Sequence, residues 1–263
     1  MEFKSASPFL NPHVHVPYDQ LDRYISHFIE NQLNLELYFG SRACDNISQA
    51  DIAELKTRLD YDPSISIHAP FMDLSPGAVD LKVREVTRRR FHDVLDWAEI
   101  LKPKVIVFHS GYDRWKYDNR VDIWLEGSLE TWKPINKRAA DMGIKIAIEN
   151  IFEDDPENLQ LLAREMDSDN FGICFDSGHF NLFSKRTLLE WLTEIKPFIK
   201  ELHLHDNSRY ADQHLAIGEG DFDFKTLFDE LRDIDCVYTL EAHNIEDVTV
   251  SLERLRAFDN AVK

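Results

Sequence analysis

Residues 203 to 214 read H-L-H-D-N-S-R-Y-A-D-Q-H, three histidines and two aspartates within twelve positions. Other short apolar runs end in the same kind of residue: S-I-H-A-P at His68, V-F-H-S-G at His109, A-I-E-N at Glu149, C-F-D-S-G-H at Asp176 and His179, and T-L-E-A-H at Glu241. A carboxylate inside an apolar run is costly unless it is paired or faces a cation, so Glu149 and Glu241 point to a buried metal ion. Mixed imidazole and carboxylate donors without thiolate suit zinc, manganese, iron or cobalt, whereas calcium favours all-oxygen cages. Asp212 and His214 lie on a loop and can close from outside a site that the apolar runs open. As an isolated motif D-x-H is weak, and its weight here comes from its neighbours.

The elements that must position these residues follow from periodicity. Eight β-rich runs, Phe3 to Phe9, Asn34 to Phe39, Ser64 to Phe71, Lys104 to Ser110, Ile144 to Ile151, Phe171 to Phe175, Ile199 to His205 and Val237 to Ala242, are candidate strands. Helical period fills the intervals, as in Val79 to Leu101, with Val83, Val86, Phe91, Val94, Leu95 and Ala98 approximating one apolar face, and in Asp247 to Phe258, with Val248, Leu252 and Leu255. Eight strand and helix pairs in 263 residues predict an α/β fold, a (β/α)8 TIM barrel forming a single domain over residues 1–263. The glycine-rich first turn of a doubly wound sheet is missing. Catalytic groups of such barrels sit at the C-terminal strand ends, where six consecutive runs here carry ligand chemistry. Strand alternation turns His203 and His205 into the lumen and Leu202 and Leu204 toward the helices; one histidine reads as a ligand, the other as its neighbour or a substrate contact.

Composition narrows the function classes. A net charge of -18, from 48 acidic against 30 basic residues, argues against a large phosphate-binding footprint while leaving room for a locally basic pocket. Three cysteines, Cys44, Cys174 and Cys236, are odd in number and widely spaced, which predicts reduced thiols. The first residues lack a basic segment followed by an apolar run, and nowhere do eighteen apolar residues occur together, so the cytoplasm is the expected compartment and no membrane partner is expected.

Taken together, I-H-A-P at 67 to 70, F-H-S-G at 108 to 111, I-E-N at 148 to 150, F-D-S-G-H at 175 to 179, E-L-H-L-H-D at 201 to 206, D-Q-H-L-A-I-G-E-G at 212 to 220 and L-E-A at 240 to 242 resemble, in order and spacing, the xylose-isomerase-like TIM-barrel superfamily, the AP endonuclease family 2. The resemblance covers essentially the whole chain and is closest, in its metal ligands, to the endonuclease IV branch. It implies that His68, His109 and a bridging Glu149 hold one zinc, that Glu149, Asp176, His203 and Glu241 hold a second, and that His179, Asp212 and His214 hold a third. Zinc is the metal it favours, up to three ions, with manganese as the alternative. Such a cluster would lower the pKa of a bridging water and neutralise a phosphate, which implies a metal-dependent phosphoester hydrolase in which Glu149 is mainly a bridging ligand.

Two departures open an alternative. The loop from His203 to Asp212 is shorter than in the DNA-repair enzymes, and it contains Arg209, placed like the substrate arginine of the mononuclear sugar epimerases of the same superfamily. In those relatives, residues matching Glu149, Asp176, His203 and Glu241 hold one ion, the two glutamates shuttle a proton beside a carbonyl, and the residue matching His179 contacts substrate. The surplus ligands His68, His109, Asp212 and His214 tip the expectation toward hydrolysis, with isomerisation or epimerisation of a sugar or sugar phosphate as the runner-up. Phe71 and Met72 could wedge DNA with Arg42 as a phosphate contact, but the acidic charge favours a small phosphorylated or nucleotide-like substrate. His205, Arg209 and Phe71 are candidate substrate contacts, together with Arg114 and Trp115 in the long loop after the fourth run, which could stack on and neutralise an anion.

Remaining features read as structural. Arg88, Arg89 and Arg90 spread around a helix as a solvated face, and Gly218-Glu-Gly220 reads as the turn into a helix from Phe224 to Leu231. Trp97, Trp124, Trp132 and Trp191 read as helix-to-barrel packing, and His13 and His15 as surface residues near the first strand. Oligomeric state is not legible.

Overall fold

The computed structural model describes residues 11–261. Eight parallel strands close into one barrel in chain order: β1 His13–Pro17, β2 Asn34–Tyr38, β3 Ile65–His68, β4 Val105–His109, β5 Lys145–Glu149, β6 Phe171–Asp176, β7 Ile199–Leu204 and β8 Val237–Leu240. Ten α-helices connect and follow them: α1 Leu21–Asn31, α2 Ser41–Asn46, α3 Gln49–Arg58, α4 Leu81–Leu101, α5 Val121–Asp141, α6 Glu157–Met166, α7 Ser177–Phe183, α8 Leu188–Ile195, α9 Phe224–Leu231 and α10 Ile245–Ala261. The expected (β/α)8 barrel is therefore observed, and seven expected strands fall where the sequence places them.

The first strand does not. The run Phe3 to Phe9 lies outside the described residues, and β1 is H-V-H-V-P, paired along its length with β2 from His13↔Asn34 to Pro17↔Tyr38. Alternation in that register turns His13 and His15 inward and Val14 and Val16 outward. His13 is only 2 % exposed and His15 is half-buried, so the expected surface role is corrected for both.

Two cores result. Outside the strands, Leu35, Leu37, Ile67, Ile106, Phe108 and their counterparts pack on the helices, with Trp97, Trp124, Trp132 and Trp191 buried among them as expected. Inside the barrel, Val105, Val107, Ala147 and Cys174 make an apolar half-layer. The opposite half is polar: His13 Nδ1 and Glu201 Oε1 share the Ser66 hydroxyl at 2.8 and 3.0 Å, and the Thr239 hydroxyl donates to the same Glu201 oxygen at 2.5 Å. Helix α4 buries Phe91, Val94, Leu95 and Ala98, but Val83 and Val86, expected on that face, are exposed, and Arg84 and Thr87 are buried instead. Arg88, Arg89 and Arg90 pair with Glu130, Glu85 and Asp45 respectively, as a solvated face should. All three cysteines are free thiols, and among the described residues no helix is long and apolar enough to cross a membrane.

Candidate metal centre

Each barrel strand from β3 to β8 brings a candidate donor to within a residue or two of its C-terminal end. His109 pairs in register with Glu149, and Asp176 with His203, which sets neighbouring donors at one height. Asp176 also caps α7, accepting the His179 N–H at 2.6 Å, so the turn that ends β6 aims His179 at the same place. Asn150 brackets the Asp176 backbone, donating to its carbonyl at 3.1 Å and accepting from its N–H at 2.8 Å.

Glu149 lies at the middle. Its Oε2 is 3.1 Å from His68 Nε2 and 3.3 Å from His109 Nε2, while its Oε1 is 3.1 Å from His179 Nδ1 and 3.6 Å from His203 Nδ1. A carbonyl can only accept, so His68 Nδ1 donates to Ala69 O at 2.9 Å, which leaves Nε2, here 3.1 Å from Glu149, as the nitrogen that would turn to a cation. His203 Nε2 is 3.1 Å from Glu36 Oε2, and its Nδ1 faces Glu241 at 3.2 Å, Glu149 at 3.6 Å and Asp176 at 3.9 Å. His205 Nε2 is 3.0 Å from both oxygens of Asp176, and its ring stacks on His214 at 4.0 Å. Asp212 is 3.5 Å from His179 Nε2 and 3.3 Å from His214 Nε2, while His214 Nδ1 is 3.6 Å from Glu241. Both Arg209 and His214 adopt left-handed backbone, the conformation that folds this loop back over the barrel.

Electrostatics mark the cluster as a cation site. Glu149, Asp176, Glu241 and Glu36 are buried together, and among the described residues no lysine or arginine pairs with any of them. Burial alone would raise the Glu149 carboxyl, but the facing imidazoles of His203 and His109 hold it well below the usual range, and His203 and His15 outweigh burial at Glu241 in the same direction. The Nδ1 atoms of His203 and His205 are buried with no hydrogen-bond partner. An orphaned imidazole nitrogen facing three carboxylates is what a divalent ion would satisfy, so the donor set fits one. Donor atoms lie within 4.8 Å of one another in His68, His109 and Glu149, in His68, His203 and Glu241, in Asp176, His179 and His205, and in His205, Asp212 and His214.

The same fold is found in known proteins. A family model described as xylose isomerase-like TIM barrel matches residues 35–258. The chain belongs to that family. It is 36% identical over 216 residues to the uncharacterized protein MJ1311 of Methanocaldococcus jannaschii, covering 79% of this chain and 73% of the relative. The crystal structure of a D-tagatose 3-epimerase-like protein is similar at 30% identity and TM-score 0.78, covering 95% of this chain and 98% of that one. The TTHB071 protein from Thermus thermophilus, soaked with ZnCl2, is similar at 26% identity and TM-score 0.78, covering 93% and 96%.

All nine expected metal positions, His68, His109, Glu149, Asp176, His179, His203, Asp212, His214 and Glu241, converge at this end of the barrel. The candidate substrate contacts divide. Phe71 stacks on His109 at 4.0 Å and lines the cavity above the cluster, whereas His205 is buried in the cluster itself, against Asp176 and His214. Arg209 is exposed and donates to Asn181 at 3.1 Å; Arg114 pairs with Asp154 and lies over the exposed Trp115; none of the three lines the cavity. Met72 is exposed beside Phe71, and Arg42 is exposed on α2. The Gly218-Glu-Gly220 turn wraps an internal anion: Asp206 accepts from the N–H groups of Gly218, Gly220 and Phe222 at 3.0, 2.9 and 3.1 Å.

Three further residues join the cluster: Glu36, which the sequence reading missed, His15, which it placed on the surface, and His243, which it named only as the end of T-L-E-A-H. Glu36 bridges His15 and His203. His15 Nδ1 is 3.4 Å from Glu241. His243 stacks on His214 at 4.6 Å. The available signal was alternation: Glu36 lies between Leu35 and Leu37, which face the helices, so it has to face the lumen.

Proposed function

We propose that this chain is a divalent-metal-dependent isomerase or epimerase of a hydroxy-carbonyl sugar, the runner-up of the sequence reading. One observation carries it: two buried carboxylates, Glu149 and Glu241, flank the unpartnered Nδ1 of His203 at 3.6 and 3.2 Å. The epimerase-like neighbour at 30% identity supports this reading over hydrolysis.

Glu149, Asp176, His203 and Glu241 would hold one ion, which when bound supplies Lewis-acid polarisation of a substrate carbonyl. The protein's own groups do the rest. Glu149 and Glu241 are both held ionised at rest, so a turnover starts when one of them takes up a proton from solvent; the other, still a carboxylate, takes the proton from the carbon beside the carbonyl, and the protonated one delivers its proton to that carbon from the opposite face. Phe71, stacked on His109, forms an apolar wall over that path and limits water at the carbanionic stage.

The decisive assay follows exchange of the C–H proton of ketohexoses in D2O, with zinc and with manganese. Wild-type protein should incorporate one deuterium beside the carbonyl, and Glu149→Gln and Glu241→Gln should each lose about 10²–10⁴-fold of that rate. A second reading, phosphoester hydrolysis by up to three ions, draws support from Asp212 and His214 reaching the cluster. Cleavage of a chromogenic phosphodiester with no deuterium uptake from any ketose would replace the first reading with the second.

A further inference from the structure

The barrel is not equally closed all round. Strand β1 pairs with β2 at five positions but with β8 only at His13↔Thr239 and Val14↔Leu240. Above that point the β1–β8 ladder ends, and His15 and Glu241 meet only through their side chains, at 3.4 Å. A cavity of about 520 Å³ opens at this point. One end of it touches His68, Glu149, His179 and Glu241 of the metal cluster. The other reaches Val14 and Val16 on the outer side of β1, Phe28 of α1, Leu33 just beyond α1, and Ile245 and Val248 at the start of α10. The side branch is thus an apolar chamber between the first and last helices, connected to the site over the barrel wall. Among the described residues, no side chain fills it.

Sugar hydroxyls taken in among Val14, Val16, Phe28, Leu33 and Val248 would lose their water without gaining partners, so that stretch of the chamber does not suit the sugar itself. A cavity in the range of about 300–1,000 Å³, mostly apolar with a few convergent polar groups, suits a larger amphipathic ligand. The metal-binding groups lie at one end, and the chamber side mixes Val14, Val16, Phe28, Leu33 and Val248 with a polar border of Gln20, Tyr24, His27 and Asn244.

Resting on the isomerase or epimerase reading, we infer that the substrate is a hydroxy-carbonyl sugar carrying an alkyl or aryl appendage, with the sugar at the metal cluster and the appendage in the chamber between α1 and α10. Val248 and Phe28 then set specificity for the appendage, at a distance from the reacting carbons.

Binding tests this without turnover. Methyl, butyl and hexyl β-D-glucopyranosides, which lack the reactive carbonyl, are titrated calorimetrically into zinc-loaded protein. Affinity should rise about two- to fourfold for each added methylene. Val248→Trp, which fills the chamber, should flatten this dependence while leaving zinc content unchanged. Ile245→Trp, at a half-exposed position on the same wall, should do the same if Val248→Trp lowers the melting temperature. Equal affinity for the methyl and hexyl compounds, or an undiminished length dependence in a folded tryptophan variant, overturns the chamber assignment. Length dependence without any C–H exchange on ketoses would leave the chamber in place and remove the isomerase reading, whereas exchange without length dependence would do the reverse.

Discussion

Glu36 is the residue whose replacement most directly tests how the cluster is prepared for a cation. Its carboxylate is fully buried, and it accepts from His15 Nδ1 at 2.8 Å and from His203 Nε2 at 3.1 Å. Burial would push its carboxyl up, but His203 and His15 hold it well below the usual range, so it is an ionised acceptor at both oxygens. An acceptor at Nε2 fixes a His203 proton there and makes Nδ1, facing Glu149, Asp176 and Glu241, the nitrogen that gives up its proton when a cation binds. Glu36→Gln keeps the volume but presents one amide oxygen and one NH2 to two histidines. If the NH2 faces His203, the ring must take its proton on Nδ1, where it points into the carboxylates and opposes a cation. Losing such an outer partner weakens metal binding about 10–100-fold, roughly 1.4–2.7 kcal/mol. The assay is competition for zinc between chelator-stripped protein and a chromophoric chelator, read beside the melting temperature. Glu36→Gln should raise the zinc Kd by that factor, and Glu36→Asp should recover part of it. A Kd within twofold of wild type, with only the melting temperature lowered, would show that Glu36 is a packing residue and refute the tautomer argument.

Other outcomes follow from the same geometry. In mass-spectrometric metal analysis, His203→Ala or Glu241→Ala should remove an ion that His214→Ala retains; loss of all metal with His214→Ala would show that the Asp212 and His214 loop is indispensable to the whole cluster. Glu201, inside the polar half of the barrel, is pushed up to about 8 by burial and by the charge of Glu36. Its unfolded carboxyl ionises near pH 4.5, so metal-free protein should lose stability as pH rises from there to about 8, by at most roughly 5 kcal/mol, and Glu201→Gln should flatten that slope in chemical denaturation; an unchanged slope would refute it. A Cβ on Gly178 would lie 2.0 Å from His205 Cε1, so Gly178→Ala should lower stability by about 1–3 kcal/mol and displace the imidazole from Asp176; wild-type stability and metal content would contradict this. Trp132 is fully buried between Phe91 and Phe108, and Trp132→Ala should lower stability by about 3–5 kcal/mol with metal stoichiometry preserved at low temperature.

How much the sequence determined depends on whether the signal was local. Strand ends such as V-F-H-S-G and A-I-E-N declared themselves, because an apolar run ending in a ligand reads the same in any register that buries its face. Alternation alone placed His203 inward and Leu202 and Leu204 outward, as observed. The convergence of the nine candidate positions that the resemblance implied was likewise legible, since barrel topology maps chain order onto position around one rim. Tertiary structure decided what depends on closure. The five-residue H-V-H-V-P has little apolar signal, and only pairing with β2 and β8 made it β1 and carried His13 and His15 into the barrel. Alternation in N-L-E-L-Y turns Glu36 into the lumen, but only the far side of the cylinder supplied its partner, His203 at 3.1 Å. Val83 and Val86 matched the helical period of α4 but face solvent, because which stripe of a helix is buried is set by the neighbours it meets. The incomplete β1–β8 contact, and the chamber that opens through it, has no counterpart in any local pattern: it exists only where the first strand meets the last, two segments separated by the length of the chain.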